Sequence, residues 1–280
     1  MKTPESPEIS LFARIADALE RLAPAPAAIE ALPDAPAYAW DHGTLRPVAT
    51  LSAQPLDRYV GIDAQREALL RNTERLAKRL PAHDILLWGS RGMGKSSLVK
   101  SAVSHLQAAG EAIALVEIER DDIADVSLLL RRLAKLDRAF VLFCDDLSFD
   151  TDERQYRRLR SVLEGGIEAR PDNCRFYVTS NRRHIVPREM RENELANSIN
   201  ARDVLDDRLA LADRFGLSLG FHACDQTTYL AMVDAYGRAY GLDIDPLAAV
   251  TWATGRGGRS GRVAWQYVQE VAGAAGVRLG

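Results

Sequence analysis

The sequence predicts an α/β fold in which a five-stranded parallel sheet is covered by helices on both faces. Between residues 55 and 222, short and almost continuously apolar runs alternate with segments of helical periodicity, as in parallel strands buried on both faces. Residues 223–280 show helical spacing and no strand pattern. We therefore expect a helical N-terminal extension (1–54), an α/β core (55–222) and a C-terminal helical lid domain (223–280).

Composition limits the class of protein. The 280 residues are 47% hydrophobic and 27% charged, with a net charge of −3, as expected of a globular protein with a real core. This charge argues against coating nucleic acid through bulk positive charge, although it permits a local basic patch. The three cysteines lack metal-ligand spacing and are odd in number, which favours reduced thiols. Without a signal-peptide pattern or an apolar run near 18 residues, we expect a cytoplasmic protein with no membrane partner.

The N-terminal extension combines a helical stripe with a proline-rich stretch. Apolar residues recur at spacings of three and four at Leu11, Ile15, Leu19 and Leu22. Prolines then follow at Pro24, Pro26, Pro33, Pro36 and Pro47. We expect short helices joined by Pro-Ala turns, with Trp40 anchoring the segment on the core. No chemistry is visible here, so packing or partner recognition is the expected role.

Five strands are predicted in the core and three helices in the lid. The strands are expected at Ile85–Trp88, Ala112–Ile118, Phe140–Cys144, Arg175–Thr179 and Leu217–Phe221. Core helices are expected at Asp63–Leu80 with Asp63 as N-cap, after residue 96, after Asp121 and Asp122, at residues 152–163 and at residues 206–215. The lid helices are expected at Gln226–Tyr240, Pro246–Thr254 and Ser260–Ala274, with Gly241 and Gly255 as helix stops.

A glycine-rich stretch after the first core strand predicts a phosphate-binding loop. The pattern G-x-x-x-x-G-K-[ST] runs from Gly89 to Ser96 between a strand and a helix. Glycines let backbone N–H groups point at a phosphate, and the helix start adds its positive dipole end. Lys95 is expected to reach the β and γ phosphates, and the Ser96 hydroxyl to bind Mg²⁺. The predicted nucleotide contacts are Gly89, Arg91, Gly92, Met93, Gly94, Lys95, Ser96 and Ser97. A glycine-rich turn with a chance lysine is the structural alternative.

Two carboxylates follow the third core strand. The apolar run Val141–Cys144 leads directly into Asp145 and Asp146. Ligands of open α/β sheets bind outside the carboxyl ends of the strands, where these acids are expected to lie. Asp145 is predicted to hold Mg²⁺, usually through water, and Asp146 to orient the attacking water. The structural alternative is two acids that cap the next helix.

The order of these motifs resembles the AAA+ ATPases over about residues 55–275. It comprises the phosphate loop, the apolar strand with two acids, Ser-Asn at 180–181, Asp-Arg-Phe at 213–215 and Ser-Gly-Arg at 260–262. The phrases LFCDDLSF (142–149) and LALADRFGLSLGF (209–221) more narrowly resemble an uncharacterised bacterial family of stand-alone AAA+ ATP-binding proteins. The resemblance implies a P-loop NTPase of AAA+ type that binds ATP with Mg²⁺.

The resemblance also implies roles around the nucleotide. Tyr59, Val60 and Gly61 resemble the segment that wraps adenine, with an ordinary helix lead-in as the alternative. Asn181 resembles the first sensor, a polar side chain beside the γ phosphate and the attacking water, with a turn asparagine as the alternative. Arg214 resembles the arginine finger that a neighbouring subunit inserts into the site. Its alternative is a surface arginine paired with Asp213 or Asp207.

The helical lid is implied to supply a second sensor that touches the γ phosphate. Arg262 ranks first for this role because Ser260-Gly261 opens the last helix just before it. Arg256 and Arg259 in the same glycine-rich turn are competing candidates.

One position departs from the AAA+ pattern. Residue 146 is Asp, whereas most AAA+ hydrolases place Glu there. The shorter side chain holds its carboxylate about 1.5 Å further back, and a misplacement of that size can lower a rate on the order of 100-fold. Slow hydrolysis is therefore one expected outcome.

Three functions follow from these features. The favoured one is an Mg²⁺-dependent AAA+ ATPase that forms a homo-oligomer on ATP binding and remodels a protein client. The alternative is a slowly hydrolysing switch or scaffold that recruits a partner in its ATP-bound state. A P-loop kinase is the third, but it lacks an evident acceptor pocket and explains neither Asn181 nor Arg214. Arginines at 182, 183, 188 and 191 keep nucleic acid open as a partner, but Glu189, Glu192 and Glu194 offset their charge.

Overall fold

The computed structural model describes residues 32–147, 163, 170–181 and 213–279, and from Ala35 onward these belong to one compact unit. Some of the segments predicted from the sequence lie outside these ranges. The helical stripe from Leu11 to Leu22 lies outside the described residues, as do the polar segment 182–207 and most of the predicted helices at 152–163 and 206–215.

The core of the unit is a seven-stranded sheet in the order β2-β1-β4-β5-β6-β3-β7. The strands are β1 (Ala37–Asp41), β2 (Thr44–Val48), β3 (Ile85–Gly89), β4 (Ile113–Ile118), β5 (Ala139–Cys144), β6 (Cys174–Ser180) and β7 (Leu217–Phe221). Neighbouring strands run parallel except for the β1–β2 hairpin. The five predicted strands are present as β3 to β7, each end within one residue of its expected position.

The prediction of five strands and of a helical extension up to residue 54 is wrong for Ala37–Val48, which form two further strands. Strand β1 adds to β4 in parallel, and Trp40 on it is fully buried, so the expected anchoring role of this tryptophan is confirmed. The prolines of this stretch predict turns, but Pro47 lies in β2, one of the two edge strands, and an edge strand tolerates a residue without an N–H.

Six α-helices are defined among the described residues. They are α1 (Asp63–Ala77), α2 (Lys95–Ala108), α3 (Val126–Leu133), α4 (Gln226–Tyr240), α5 (Pro246–Gly255) and α6 (Gly261–Ala275). Asp63 is the first residue of α1 rather than its N-cap, and its carboxylate binds Arg66 at 2.7 Å. Asp121 and Asp122 do not cap α3. They lie in a 3₁₀ helix, Arg120–Asp125, that precedes α3, and the N-cap residue of α3 is Asp125.

The three helices predicted for residues 223–280 are confirmed as α4, α5 and α6, and they are called the lid below. Each begins at a side-chain cap that satisfies a free backbone N–H. Asp225 accepts from the N–H of Thr228 at 2.7 Å, Asp245 from that of Leu247 at 2.8 Å, and Ser260 from that of Val263 at 3.2 Å. Gly241 ends α4 in a left-handed conformation, with φ of 64°.

Strand order determines where the site lies. Strand β6 lies between β5 and β3, and all three run parallel. Their carboxyl ends therefore meet at one edge of the sheet. The residues after β5 and β6 are brought beside the loop that follows β3, although these segments are far apart in sequence.

Candidate functional site

The loop between β3 and α2 is held against the end of β7. The N–H of Ser90 donates to the carbonyl of Phe221 at 2.7 Å. A Cβ atom at Gly89 would lie 2.1 Å from the same carbonyl oxygen, so only glycine fits where the loop begins. The edge strand β7 thus fixes the direction in which the loop leaves the sheet.

Lys95, the first residue of α2, points back into the loop. Its side chain is buried, and Nζ donates to the carbonyls of Gly89 and Ser90 at 2.9 Å each and to Oδ1 of Asn181 at 3.1 Å. Burial lowers the pKa of this ammonium group, and the nearby carboxylates of Asp145 and Asp146 oppose that shift. The structure therefore holds a desolvated cation on the inner side of the loop.

The two predicted metal ligands meet across the cleft. The hydroxyl of Ser96 donates to Oδ1 of Asp145 at 2.6 Å. A hydroxyl and a carboxylate are hard oxygen donors, and Mg²⁺ usually takes only one or two protein ligands, with waters and phosphates completing its shell. The donor set fits Mg²⁺ delivered with a nucleotide.

Asp146 is engaged from three directions. Its Oδ1 accepts a hydrogen bond from Nδ2 of Asn181, and its Oδ2 lies 3.2 Å from Nη2 of Arg120. Its backbone N–H donates to the hydroxyl of Thr179 at 2.7 Å, and its φ of 51° is unusual for a residue with a Cβ atom. Asn181 therefore connects Lys95 to Asp146 through the two ends of one amide.

A cleft of about 860 Å³ contains these groups. It is lined by the phosphate loop, the acids and Asn181, and also by the segment before α1 together with α4 and α6. Of the predicted site residues, those lining it are Tyr59, Val60, Gly92, Met93, Gly94, Lys95, Ser96, Ser97, Asp145, Asp146, Asn181 and Arg262.

Four predicted site residues are not among the described residues that line the cleft. Gly89 is buried at the end of β3, and Gly61 packs against Thr228 of α4. Arg91 is exposed on the loop. Arg214 is half-buried in the turn before β7.

The segment before α1 is fixed to both sides of the cleft. The hydroxyl of Tyr59 lies 2.6 Å from that of Ser97 and 2.9 Å from that of Ser101, and burial raises the pKa of this tyrosine. The side chain of Gln54 donates to Ser97 at 3.4 Å and accepts from Tyr236 of α4 at 3.2 Å. This segment therefore bridges α2 and the lid beside the loop.

The lid contacts the phosphate loop directly. The backbone N–H of Arg262 donates to the carbonyl of Gly92 at 3.0 Å. Of the three candidate arginines, Arg262 lines the cleft. Arg256 instead stacks on Trp252 at 4.2 Å, and Arg259 donates to Gln226 at 3.2 Å. The structure thus brings Arg262, and not its two competitors, to the site.

Sequence reasoning missed Thr179, Arg120 and Gln54. The sequence places Thr179 only at the end of the predicted strand Arg175–Thr179, although it lies two positions before Asn181. Arg120 follows β4 in an acidic stretch, and only the strand order brings it near Asp146. Gln54 lies in a segment without a motif.

A second group of metal-ligating residue types lies at the β1–β2 turn. Asp41, His42 and Asp122 offer ligand atoms within 4.8 Å of one another. Nδ1 of His42 lies 2.8 Å from Oδ1 of Asp41 and 3.4 Å from Oδ1 of Asp122, so the imidazole already pairs with both carboxylates. We assign no ion to this group.

Comparison with solved structures identifies the class of fold. The RuvB Holliday junction branch migration motor of Thermotoga maritima matches 81% of this chain and 67% of its own at a TM-score of 0.50 and 17% identity. The ORC1 protein of Aeropyrum pernix, solved in complex with DNA, matches 77% of this chain and 61% of its own at a TM-score of 0.53 and 14% identity. At these identities the likeness is one of fold. The chain has the fold of AAA+ P-loop NTPases, as its sequence predicted.

A comparison with protein families identifies the family of this chain. The family described as "Protein of unknown function (DUF815)" matches residues 33–275, and the chain belongs to it. The small ribosomal subunit biogenesis GTPase RsgA of Bordetella pertussis is 32% identical over 136 residues, which are 46% of this chain and 43% of that protein. The chain therefore spans less than half the length of the curated relatives it matches. Among the residues with described structure, no helix combines the length and apolar character needed to cross a bilayer.

Proposed function

We propose that this protein is an Mg²⁺-dependent ATPase of AAA+ type that couples its nucleotide state to assembly or remodelling of a macromolecular partner. The convergence of Lys95, the Ser96–Asp145 pair and the Asn181–Asp146 pair in one cleft carries the proposal. These groups supply a phosphate-neutralising cation, oxygen ligands for a metal, and a carboxylate with a polar neighbour to orient water.

Each group has a distinct role in the proposed reaction. Lys95 neutralises phosphate charge, and Ser96 and Asp145 are the residues that would hold Mg²⁺. The metal, when bound with nucleotide, would offset charge that develops on the phosphate oxygens. Asp146 orients the attacking water, and Asn181 keeps the Asp146 carboxylate close to Lys95. The exposed side chain of Arg262 lines the cleft from the lid and is placed to contact a phosphate.

We propose ATP rather than GTP as the nucleotide. Guanine presents an N1–H and an amino group on one edge, and a carboxylate is the usual acceptor for such paired donors. Among the described residues that line the cleft, the carboxylates are Asp145 and Asp146, both beside the phosphate loop. The segment before α1, together with α4 and α6, adds apolar, aromatic and polar residues, which include Val60, Ile62, Met232, Gln54, Tyr236 and Trp265. RsgA is named a GTPase, so titration with ATP and with GTP in parallel tests this choice directly.

Two observations favour the slowly hydrolysing switch as a second candidate. Asp146 is shorter than the glutamate of most AAA+ hydrolases, and both of its carboxylate oxygens already have protein partners, Asn181 and Arg120. These partners compete with a water for the lone pairs of the carboxylate and restrict the positions from which it can accept a water proton. Steady-state turnover measured against protein concentration separates the two candidates. A steep rise supports a site completed between subunits, whereas a flat and very low rate supports the switch.

The proposed function also includes binding partners. We propose a homo-oligomer formed on ATP binding, a protein client and a cytoplasmic location. RuvB is a Holliday junction branch migration motor and ORC1 was solved in complex with DNA, so DNA binding is tested as well. A gel-shift assay with and without ATP decides whether a nucleic acid replaces the protein client.

Replacing Asp145 with alanine should remove the Mg²⁺ dependence of nucleotide binding together with hydrolysis. Its carboxylate faces Ser96, and even the outer partners of metal sites are worth about 10- to 100-fold in metal affinity. ATP affinity in the presence of EDTA should not fall, because without a metal the Asp145 carboxylate can only repel the phosphates. Calorimetry with and without Mg²⁺ measures both quantities. Wild-type Mg²⁺ dependence in the variant would exclude Asp145 as a metal ligand.

Replacing Asp146 with asparagine should preserve Mg²⁺–ATP binding and slow turnover by about 10² or more, since a group that handles the attacking water typically contributes 10²- to 10⁴-fold. The amide has the same shape but is a poorer acceptor of a water proton. Phosphate release under saturating ATP gives the rate, and Asp145→Ala is the matched comparison. Equal losses of binding and turnover in Asp146→Asn would disprove the division of labour between the two acids.

A further inference from the structure

We propose that Thr179 is a positioning residue for hydrolysis, because its hydroxyl orients the predicted metal ligand and the predicted water-orienting residue at the same time. This inference rests on the function proposed above, since it adds a residue to the same site. Thr179 is the penultimate residue of β6 and is 2% exposed.

Three hydrogen bonds connect Thr179 to the segment that follows β5. Its Oγ1 donates to Oδ1 of Asp145 at 2.5 Å and accepts from the backbone N–H of Asp146 at 2.7 Å. Its carbonyl accepts from the backbone N–H of Leu147 at 2.8 Å. One buried residue thus holds three consecutive residues of the neighbouring chain segment.

The chemistry of a hydroxyl makes this arrangement specific. A threonine hydroxyl has one proton to donate and lone pairs to accept with, and here both functions are used. The oxygen of Asp145 that accepts from Thr179 also accepts from Ser96, so this hydroxyl fixes the carboxylate where the two predicted metal ligands meet. Valine has nearly the shape of threonine but can make neither bond.

The backbone of Asp146 needs this support. Its φ of 51° places it in a left-handed conformation that residues with a Cβ atom rarely adopt. Such a conformation persists only where surrounding contacts hold it, and the bonds from the N–H groups of Asp146 and Leu147 to Thr179 do so. Without the hydroxyl, the turn can relax and carry the Asp146 carboxylate away from Asn181.

The next residue provides a matched control. Ser180 is also buried at 1% exposure, but its hydroxyl has no hydrogen-bond partner among the described residues. Successive side chains of a strand point to opposite faces, so Ser180 lies on the other side of β6 from the contacts of Thr179. Removing its hydroxyl tests the effect of a change in the same strand without a change at the acids.

The experiment compares Thr179→Val, Thr179→Ser and Ser180→Ala with wild type. In Thr179→Val, the Mg²⁺ concentration for half-maximal hydrolysis should rise about 10- to 100-fold, the usual effect of losing an outer partner of a metal ligand. Its maximal rate should also fall, while ATP affinity in EDTA stays at the wild-type value. Thr179→Ser should recover most of both properties, and Ser180→Ala should behave as wild type.

Each result has a defined meaning. A Thr179→Val variant with wild-type Mg²⁺ dependence and rate overturns this inference alone, as does a loss that Thr179→Ser does not recover. If the wild-type protein neither binds nor hydrolyses Mg²⁺–ATP, the proposed function fails and this inference fails with it. If Thr179→Val loses its cooperative thermal transition, Thr179→Ala makes the same comparison, since it removes the hydroxyl without adding a methyl group.

Discussion

Replacing Lys95 with alanine is expected to abolish ATP binding. Its ammonium group lies on the inner side of the phosphate loop, with the loop carbonyls and Asn181 as its partners. A hydrogen bond to a charged group contributes about 1.5–3 kcal/mol, and this cation is expected to serve two phosphates. The loss should therefore reach about 3 kcal/mol or more, which lowers the affinity by about a hundredfold or more and takes binding below detection in calorimetry.

The same substitution should leave the protein folded. Burial lowers the pKa of Lys95, so the charged ammonium is less stable in the folded protein than in water. Its removal eliminates that unfavourable desolvation, which offsets the loss of hydrogen bonds to Gly89 and Ser90. Calorimetry with Mg²⁺–ATP measures binding, and thermal unfolding followed by circular dichroism measures stability.

Lys100 provides the matched control for this prediction. It lies on the same helix α2, but its ammonium pairs with Glu117 at 3.4 Å and it is not among the described residues lining the cleft. Lys100→Ala should therefore bind ATP as the wild type does. Wild-type affinity in Lys95→Ala would remove the phosphate loop from the proposed mechanism.

The phosphate loop and the two acids could be predicted from sequence because their residues are close together in the chain. A strand, a glycine-rich loop and a helix within fifteen residues define the position of Lys95 by local geometry. The pair Asp145 and Asp146 could be placed at a sheet edge because the strand before it is wholly apolar. Their roles remain predictions, since only their positions are seen.

The contacts between these motifs could not be predicted, because they depend on the order of strands in the sheet. Nothing local indicates that β6 lies between β5 and β3, and this order alone brings Thr179 to Asp145 and Asn181 to Lys95. The ion pair of Arg120 with Asp146 likewise joins the ends of two strands. Long-range pairing of this kind has no signature in local periodicity.

The first two strands were missed for a different reason. Strand β1 has five residues, too few to establish alternation, and prolines lie on both sides of it. Its stability comes from pairing with β4 and from burial of Trp40, which are tertiary effects. Tertiary contacts overrode the local preference of the chain for turns.

Arg214 should act on the ATP of a neighbouring subunit and not on its own. It lies in the turn before β7, outside the set of described residues that line its own cleft. Arginine fingers supplied in this way are worth about 10³- to 10⁵-fold in rate in other phosphoryl-transfer systems. Arg214→Ala should therefore bind ATP as tightly as wild type and hydrolyse it slower by a factor in that range. Asp213→Ala, which changes the exposed neighbouring residue, should retain the wild-type rate.

Mixing variants tests whether the arginine acts between subunits. Arg214→Ala has an intact nucleotide site, and Lys95→Ala has an intact Arg214, so a mixed oligomer can pair the two. Equal amounts of both variants should recover part of the wild-type phosphate release, although each variant alone is inactive. Co-purification of untagged Lys95→Ala with affinity-tagged Arg214→Ala in the presence of ATP establishes that mixed oligomers form. Mixed oligomers without any recovery would mean that Arg214 only stabilises its own subunit, and would favour the slowly hydrolysing switch over the oligomeric motor.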